Sequence, residues 1–236
     1  MGIAVNKVKN HFHGDLKKKK ALDIPSGNGW AGEELTAYGM EVISADINKD
    51  KPHFCQVDME KLLPFLDEEF DAIICCEGIE HIFSPFQLFA EFSRTLKRGG
   101  ILVITTPNIQ NLYSRWQFLC SGYLFQFDPF DKIPLRNSLV GDKGHISHVS
   151  YGQLRYYSEH HNMKVETPTG GRMKRVILLP FLFPFLLIGI WFNYRDWRRT
   201  SGEKSRKEII KHLFNFRVLL SRSLVFIATK PNSTFL

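Results

Sequence analysis

An α/β fold with a doubly wound, mostly parallel sheet is predicted by three features. Short apolar runs of strand length alternate with helical patterns, a glycine-rich loop joins the first run to a helix, and acidic residues close several of the runs. The first strand ends in Leu22-Asp23, and Gly27 and Gly29 precede helix-forming Glu33-Glu34-Leu35. Glycines there let the backbone approach a ligand, and N–H groups at the helix start face it. Val42-Ile43-Ser44-Ala45-Asp46 reads as the second strand and residues 53–58 as the third. Phe70-Asp71-Ala72-Ile73-Ile74-Cys75-Cys76 is apolar enough for a buried fourth strand. A helix over about 85–96 follows, with Pro85 in its first turn, and Lys97-Arg98-Gly99-Gly100 ends it. Ile101-Leu102-Val103-Ile104-Thr105 is the fifth strand, residues 150–162 a helix, Met163-Lys164-Val165-Glu166 the sixth strand and residues 223–230 the seventh. The expectation is one Rossmann-like domain over 1–236, with an insertion at 171–222 between the last two strands.

At 236 residues and 44% hydrophobic content the chain can bury a full core. Its four cysteines, Cys55, Cys75, Cys76 and Cys120, have neither metal-type nor disulfide-framework spacing, which implies a reducing cytosol. Met1-Gly2-Ile3-Ala4-Val5-Asn6 lacks a signal-peptide apolar core, and position six is not the Ser or Thr of a myristoylation site. The expected location is therefore cytoplasmic. The lysine run at 17–20 reads as a solvated approach to the sheet.

Gly27-Asn28-Gly29-Trp30-Ala31-Gly32 satisfies G-x-G-x-x-G, with Asp46 about 20 residues on, where a dinucleotide fold places its ribose acid. An NAD-linked oxidoreductase is one reading. Asp23 argues against it, because a carboxylate at the end of the first strand repels a pyrophosphate and attracts a ligand with an ammonium group. S-adenosylmethionine is such a ligand. Leu22-Asp23-Ile24-Pro25-Ser26-Gly27-Asn28-Gly29 resembles motif I of the class I S-adenosylmethionine-dependent methyltransferases, with Pro25 and Ser26 in place of the family's Gly-Cys. The resemblance implies a cofactor loop of Asp23, Ser26, Gly27, Asn28 and Gly29, ribose contacts at Asp46 and Ile47, and adenine contacts at Asp58 and Met59. It also implies Glu77 beside the methyl group and a seventh strand antiparallel to the sixth.

The candidate chemistry follows the fourth strand, at Glu77-Gly78-Ile79-Glu80-His81. Ligands gather at that edge of an open α/β sheet. A Glu-His pair there can be structural, or can supply His81 as a general base with Glu80 beside it. The fuller spacing Glu-x-x-Glu-His is similar to a metal-binding motif of small-RNA 3′-end ribose methyltransferases and of ubiquinone-pathway O-methyltransferases. In the former a later histidine completes the site, and His145 in Gly144-His145-Ile146-Ser147-His148 is the candidate. Glu77, Glu80, His81 and His145 would suit a divalent ion such as Mg²⁺, Mn²⁺, Fe²⁺ or Zn²⁺. Such an ion would acidify an acceptor hydroxyl and chelate a neighbouring one, favouring a vicinal diol. Thr106-Pro107-Asn108 resembles the superfamily loop that lines the acceptor side.

Residues 112–130 are rich in aromatics, including Tyr113, Trp116, Phe125, Phe127 and Phe130, and read either as a helix and lid or as a wall for an apolar acceptor. Between Arg172 and Arg222 twelve Lys or Arg face three Asp or Glu, a local +9 against a net +7, so the basic character belongs to the insertion. Residues 176–192 are uncharged and apolar, flanked by Arg172, Lys174 and Arg175 on one side and Arg195, Arg198 and Arg199 on the other, with Trp191, Tyr194 and Trp197 as interfacial anchors. A single crossing would put the last two strands on opposite sides of a bilayer, so the segment must dip and return, lie in the interface or pack on protein. Residues 207–220 suggest a basic amphipathic helix. The expectation is an O-methyltransferase peripheral to the membrane, acting on a lipid-linked or membrane-embedded hydroxyl, either a polyprenyl phenol or a glycolipid. Alternatives are a soluble enzyme for a small molecule or RNA end, and a non-catalytic cofactor-binding scaffold. Nucleic acid is disfavoured, because phosphate contacts need charge rather than consecutive Leu and Phe.

Overall fold

The computed structural model describes residues 2–48, 53–127, 144–173, 176–196 and 203–232; Phe130, Lys174, Arg175, Trp197, Arg198 and Arg199 lie outside them. Chain order begins with helix α1 (Gly2–His11), which the sequence reading did not anticipate because Asn6, Lys7, Lys9 and Asn10 dilute its apolar stripe. Ala4, Val5 and Val8 are nevertheless fully buried against the sheet. A fully buried valine contributes about 1.5–3 kcal/mol, enough to hold a helix of ten residues that would not persist alone.

Strand β1 (Lys20–Asp23), helix α2 (Trp30–Ala37), β2 (Glu41–Asp46), β3 (Cys55–Gln56), β4 (Phe70–Cys76), α3 (Pro85–Thr95) and β5 (Leu96–Pro107) follow in the predicted alternation. Then come α4 (Leu112–Ser121), α5 (Tyr151–His160), β6 (Lys164–Val165), β7 (Thr169–Gly170), α6 (Leu179–Asp196), α7 (Glu203–Leu213), α8 (Phe216–Leu220) and β8 (Ser223–Thr229). Among the described residues eight strands form one sheet, in the order β3-β2-β1-β4-β5-β8-β6, with β7 paired on β8. β1 to β5 are parallel and β8 is antiparallel to both neighbours. The predicted class is thus the observed one.

Three boundaries differ. The third strand contracts to Cys55–Gln56, with one more bond from the Val57 N–H to the Asp46 carbonyl before the chain enters the Asp58 turn. β5 starts at Leu96, because Lys97 to Gly100 continue the strand through an irregularity in the β4 register, with Gly99 at φ +74°. The eighth strand is β7, two residues at the entrance of the insertion that pair with Val225 and Leu224.

The described residues of the insertion are mostly helical. Two readings of it require correction. The amphipathic helix over 207–220 is two helices, because Asn215 breaks the run and its side chain accepts the Arg217 N–H to start α8. Its apolar residues also face protein: Ile209 and Leu213 pack on the main core, with Ile210, Val218 and Leu219 buried. α6 behaves differently. Leu179, Leu182 and Leu186 form a narrow stripe against Leu112, Leu219 and Leu220, while Phe181, Phe185, Ile188 and Trp191 stand exposed. None of the helices among the described residues is long and apolar enough to cross a membrane.

The loop after β1 and the loop after β4 meet at one point. A Cβ on Gly78 would lie 2.2 Å from Pro25 Cδ and 2.6 Å from its Cγ. Gly78→Ala should therefore force the loops apart at a cost of about 1–3 kcal/mol. A thermal melt checks this, and an unchanged Tm would show that the loops separate freely.

Candidate active site

Parallel pairing aligns Asp23 with Ser44 on one side and Ile74 on the other, and Cys76 with Thr105, so the carboxyl ends of β1, β2, β4 and β5 share one edge. A cavity of about 430 Å³ opens there, lined by Asp23, Ser26 to Asn28, Asp46, Ile47, Asp58, Met59, Glu77 and His81, among others. The fold therefore brings to one pocket nearly all the residues proposed for the cofactor from sequence. Gly29, also proposed, sits at φ +84° as the residue before α2 and directs the chain into that helix.

Each acid at the cofactor end is held by backbone. The Asp46 carboxylate accepts the Gly27 N–H on Oδ2 at 2.8 Å and the Asn48 N–H on Oδ1 at 3.0 Å. Oδ1 also accepts the Asn48 side-chain amide at 3.1 Å; a carboxylate offers about four lone-pair sites, so about one is left for a ribose hydroxyl. Asp23 is buried and its Oδ2 accepts the Gly32 N–H at 3.1 Å. A Cβ on Gly32 would come within 3.3 Å of that oxygen and 2.8 Å of Ser44 Oγ, which is why the third glycine of the pattern is needed. Burial pushes the Asp23 carboxyl up to about 6, although the Gly32 and Ser26 contacts oppose it and Asp46 adds to it. Ser26 reaches back to donate to the Asp23 carbonyl at 2.7 Å. Asp58 accepts the Glu60 N–H and pairs with Lys61, closing the turn that presents Met59.

At the other end two carboxylates follow β4, and two threonines of β5 hold them. Glu77 has φ +49°, and its Oε1 accepts the Thr105 hydroxyl at 3.0 Å while its N–H donates to the Thr105 carbonyl. Glu80 is fully buried in a short 3-10 turn, and its Oε2 accepts the Thr106 hydroxyl at 3.1 Å. Its Oε1 has no hydrogen-bond partner among the described residues. Burial first, then the charge of Glu77, pushes the Glu80 carboxyl up to about 8.

Glu80, His81 and His145 converge, each offering one ligand atom within 4.8 Å of the others. The His81 and His145 rings meet edge to face at 4.9 Å. His145 Nδ1 lies 2.6 Å from the Gln126 carbonyl. A carbonyl only accepts, so Nδ1 carries the proton and the lone pair is on Nε2, the arrangement common in metal-binding histidines. An orphaned carboxylate oxygen and an imidazole with a fixed lone pair fit a divalent cation. Glu77, expected to join them, stands outside this trio and is turned to Thr105.

Sequence reasoning did not single out Thr105, Cys76, Trp30 or Gln126. Thr105 and Thr106 end a strand in the ordinary way, and nothing local marks them as partners of acids about 26–28 residues earlier. Asn108, proposed for the acceptor loop, is buried and spends its side-chain amide on the Val218 and Ser221 carbonyls of the insertion. Of the aromatics, Phe127 is buried against His145 and His148, Tyr113 packs on Phe125, and Trp116 and Phe118 are exposed.

Residues 22–104 match the family model described as a methyltransferase domain. A ubiquinone biosynthesis O-methyltransferase of Methylococcus capsulatus is 29% identical over 122 residues, covering 44% of this chain and 52% of that protein. A demethylmenaquinone methyltransferase of Clavibacter sepedonicus is 30% identical over 107 residues, covering 39% of this chain and 43% of that one. The chain thus spans about half the length of the curated relatives it matches. A crystal structure of an S-adenosylmethionine-dependent methyltransferase from Archaeoglobus fulgidus superposes with a TM-score of 0.59 at 18% identity, over 97% of this chain and 94% of that one. The methyltransferase-domain match runs from β1 to β5 and takes in most of the residues that line the cavity, and the chain shares its fold with the S-adenosylmethionine-dependent methyltransferase of Archaeoglobus fulgidus.

Proposed function

We propose that this protein transfers the methyl group of S-adenosylmethionine to an oxygen of a membrane-embedded or lipid-linked acceptor, a polyprenyl phenol or the sugar of a glycolipid or lipid-linked glycan. The observation that carries the reading is one cavity with Asp23 and Asp46 at one end and Glu77 and His81 at the other, backed by the cluster of Glu80, His81 and His145. In the step, an acceptor oxygen lone pair attacks the methyl carbon, the carbon–sulfur bond breaks, and sulfur keeps the pair as neutral S-adenosylhomocysteine. His81 takes the acceptor's proton. The sulfonium is already a strong electrophile, so alignment of oxygen, carbon and sulfur and exclusion of water are what the protein supplies.

Glu80, His81 and His145 would hold a divalent cation, which when bound lowers the pKa of an acceptor hydroxyl. Glu80 must lose its proton to ligate, and its raised pKa means that binding strengthens as the pH rises toward about 8. Without the ion the same carboxyl stays protonated at neutral pH and would serve as a local proton store beside His81.

Two observations favour a lipid-linked acceptor. The relatives are named for ubiquinone and menaquinone chemistry. The α6 face leaves Phe181, Phe185 and Trp191 exposed, with Arg195 stacked over Trp191 at 4.8 Å. An apolar face beside basic and aromatic residues suits the boundary of headgroups and acyl chains. With α7 and α8 seated on the core, the exposed face of α6 is the part of the insertion that would meet a membrane.

Incubation with radiolabelled S-adenosylmethionine and membrane lipid extract should place label in the organic phase; label confined to aqueous small molecules or RNA would replace this acceptor class. Asp23 near 6 sets the pH dependence of cofactor binding. A carboxyl with a raised pKa loses its charge as pH falls through that value, so S-adenosylhomocysteine affinity should drop about tenfold between pH 8 and pH 5. Asp23→Asn should flatten the profile, and a wild-type profile already flat in calorimetry would remove Asp23 as the ammonium's partner. Mn²⁺ titration should show binding that Glu80→Gln weakens about 10–100-fold; equal affinity in both would leave His81 as a metal-free base. Replacing Phe181, Phe185 and Trp191 by serine should release the protein from vesicles of anionic phospholipid in a flotation assay, and a wild type that never floats would end the membrane reading.

A further inference from the structure

We infer that Gln126 and Arg222 form a clamp that positions His145, tying the exit of the insertion to the acceptor site; the inference rests on the role given to His145 above. Gln126 sits at φ +74°, a left-handed conformation that side chains other than glycine and asparagine adopt at a cost. It occupies a turn closed by the Phe127 N–H on the Leu124 carbonyl at 3.1 Å. Nothing in the turn itself calls for glutamine there.

The side chain supplies the reason. Arg222 Nε donates to Gln126 Oε1 at 2.6 Å, and Gln126 Nε2 donates back to the Arg222 carbonyl at 3.2 Å. That carbonyl also accepts the Asn108 N–H at 2.9 Å, immediately after β5. Arg222 is the residue before β8, and Pro107 and Ser223 pair across the two strands. The clamp is therefore anchored on the rigid end of the sheet, while its other end is an irregular turn.

Held in this way, the Gln126 carbonyl faces His145 Nδ1, and Phe127 packs edge to face on the same ring at 5.4 Å. The proton is kept on Nδ1 and the Nε2 lone pair is kept on the side of Glu80 and His81. If the clamp opened, the turn would relax toward negative φ and carry the carbonyl off the ring. Val218, Leu219 and Leu220 of α8 are buried just before Arg222, so displacement of the insertion against the core would reach His145 through this residue. Gln126 and Arg222 are positioning residues, and neither touches the reacting atoms.

The test is the ring-nitrogen spectrum of ¹⁵N-histidine-labelled, metal-free protein at pH 8, with the His145 signal assigned by its loss in His145→Gln. Wild type should hold His145 as a single Nδ1–H tautomer. Arg222→Met, at an exposed position, and Gln126→Met should each give a mixture with the Nε2–H form, and Gln126→Glu should keep the wild-type spectrum because its carboxylate accepts from the guanidinium. Mn²⁺ affinity should fall about tenfold or more in the two methionine variants. An unchanged tautomer in both, even with a lowered Tm, would overturn the clamp. If wild type binds no Mn²⁺ the metal reading falls by itself, and the nitrogen spectrum still decides this one.

Discussion

A parallel sheet sends every strand end to the same edge, and the chemistry of this protein depends on that constraint. β1, β2, β4 and β5 are each followed by a residue or loop that cannot continue the ladder, and the alignment of Asp23 with Ile74 and of Cys76 with Thr105 levels those endings. Asp23, Asp46 and Glu77, from three different strand ends, come to line one cavity, and Glu80 is buried close enough to feel the charge of Glu77. Four carboxylates near one another would repel in water, and in a partly dry cavity they repel more. The fold tolerates them because each is tied to backbone N–H groups or to a hydroxyl.

The two most buried acids differ in what the tie leaves over. Asp23 spends one oxygen on α2 and stays in the cavity wall, so a cationic group of a ligand would complete its surroundings. Glu80 spends one oxygen on Thr106 and keeps the other without a partner among the described residues. An unpaired buried carboxylate oxygen is costly, and it is tolerated either as a neutral acid or as a ligand. In either state the carboxyl sits beside His81 and His145, with one of its oxygens within 4.8 Å of a ring nitrogen of each.

The insertion does two physical jobs with one stretch of sequence. α7 and α8 bury their apolar residues on the core, and Tyr151 bonded to His212 joins that seat from within, as does Arg155 paired with Glu208. α6 offers more apolar surface than the protein can cover, since a helix apolar on every side buries only the stripe that meets a neighbour. Its buried stripe meets Leu112 at the start of α4, the helix that follows the strand carrying Thr105 and Thr106.

Much of this was written in local sequence. Strand periodicity, the glycine spacing at 27, 29 and 32, and the acids at strand ends are set by nearest neighbours and by backbone geometry, so the class of fold and nearly all the cavity-lining residues proposed for the cofactor could be read from residues 20–105. The helix at the N-terminus could not, because its burial comes from the sheet and not from its own stripe. Nor could the split of residues 207–220 into a buried α7 and α8, since an amphipathic pattern is indifferent to whether protein or lipid covers it. The Glu-x-x-Glu-His spacing named the chemical groups, but which of them converge was decided by tertiary structure. The turn after β4 sends Glu77 toward Thr105 and Glu80 inward, and residues 126 and 222 set the ring at 145. Spacing along a chain determines which side chains are available, and only packing determines which of their atoms face one another.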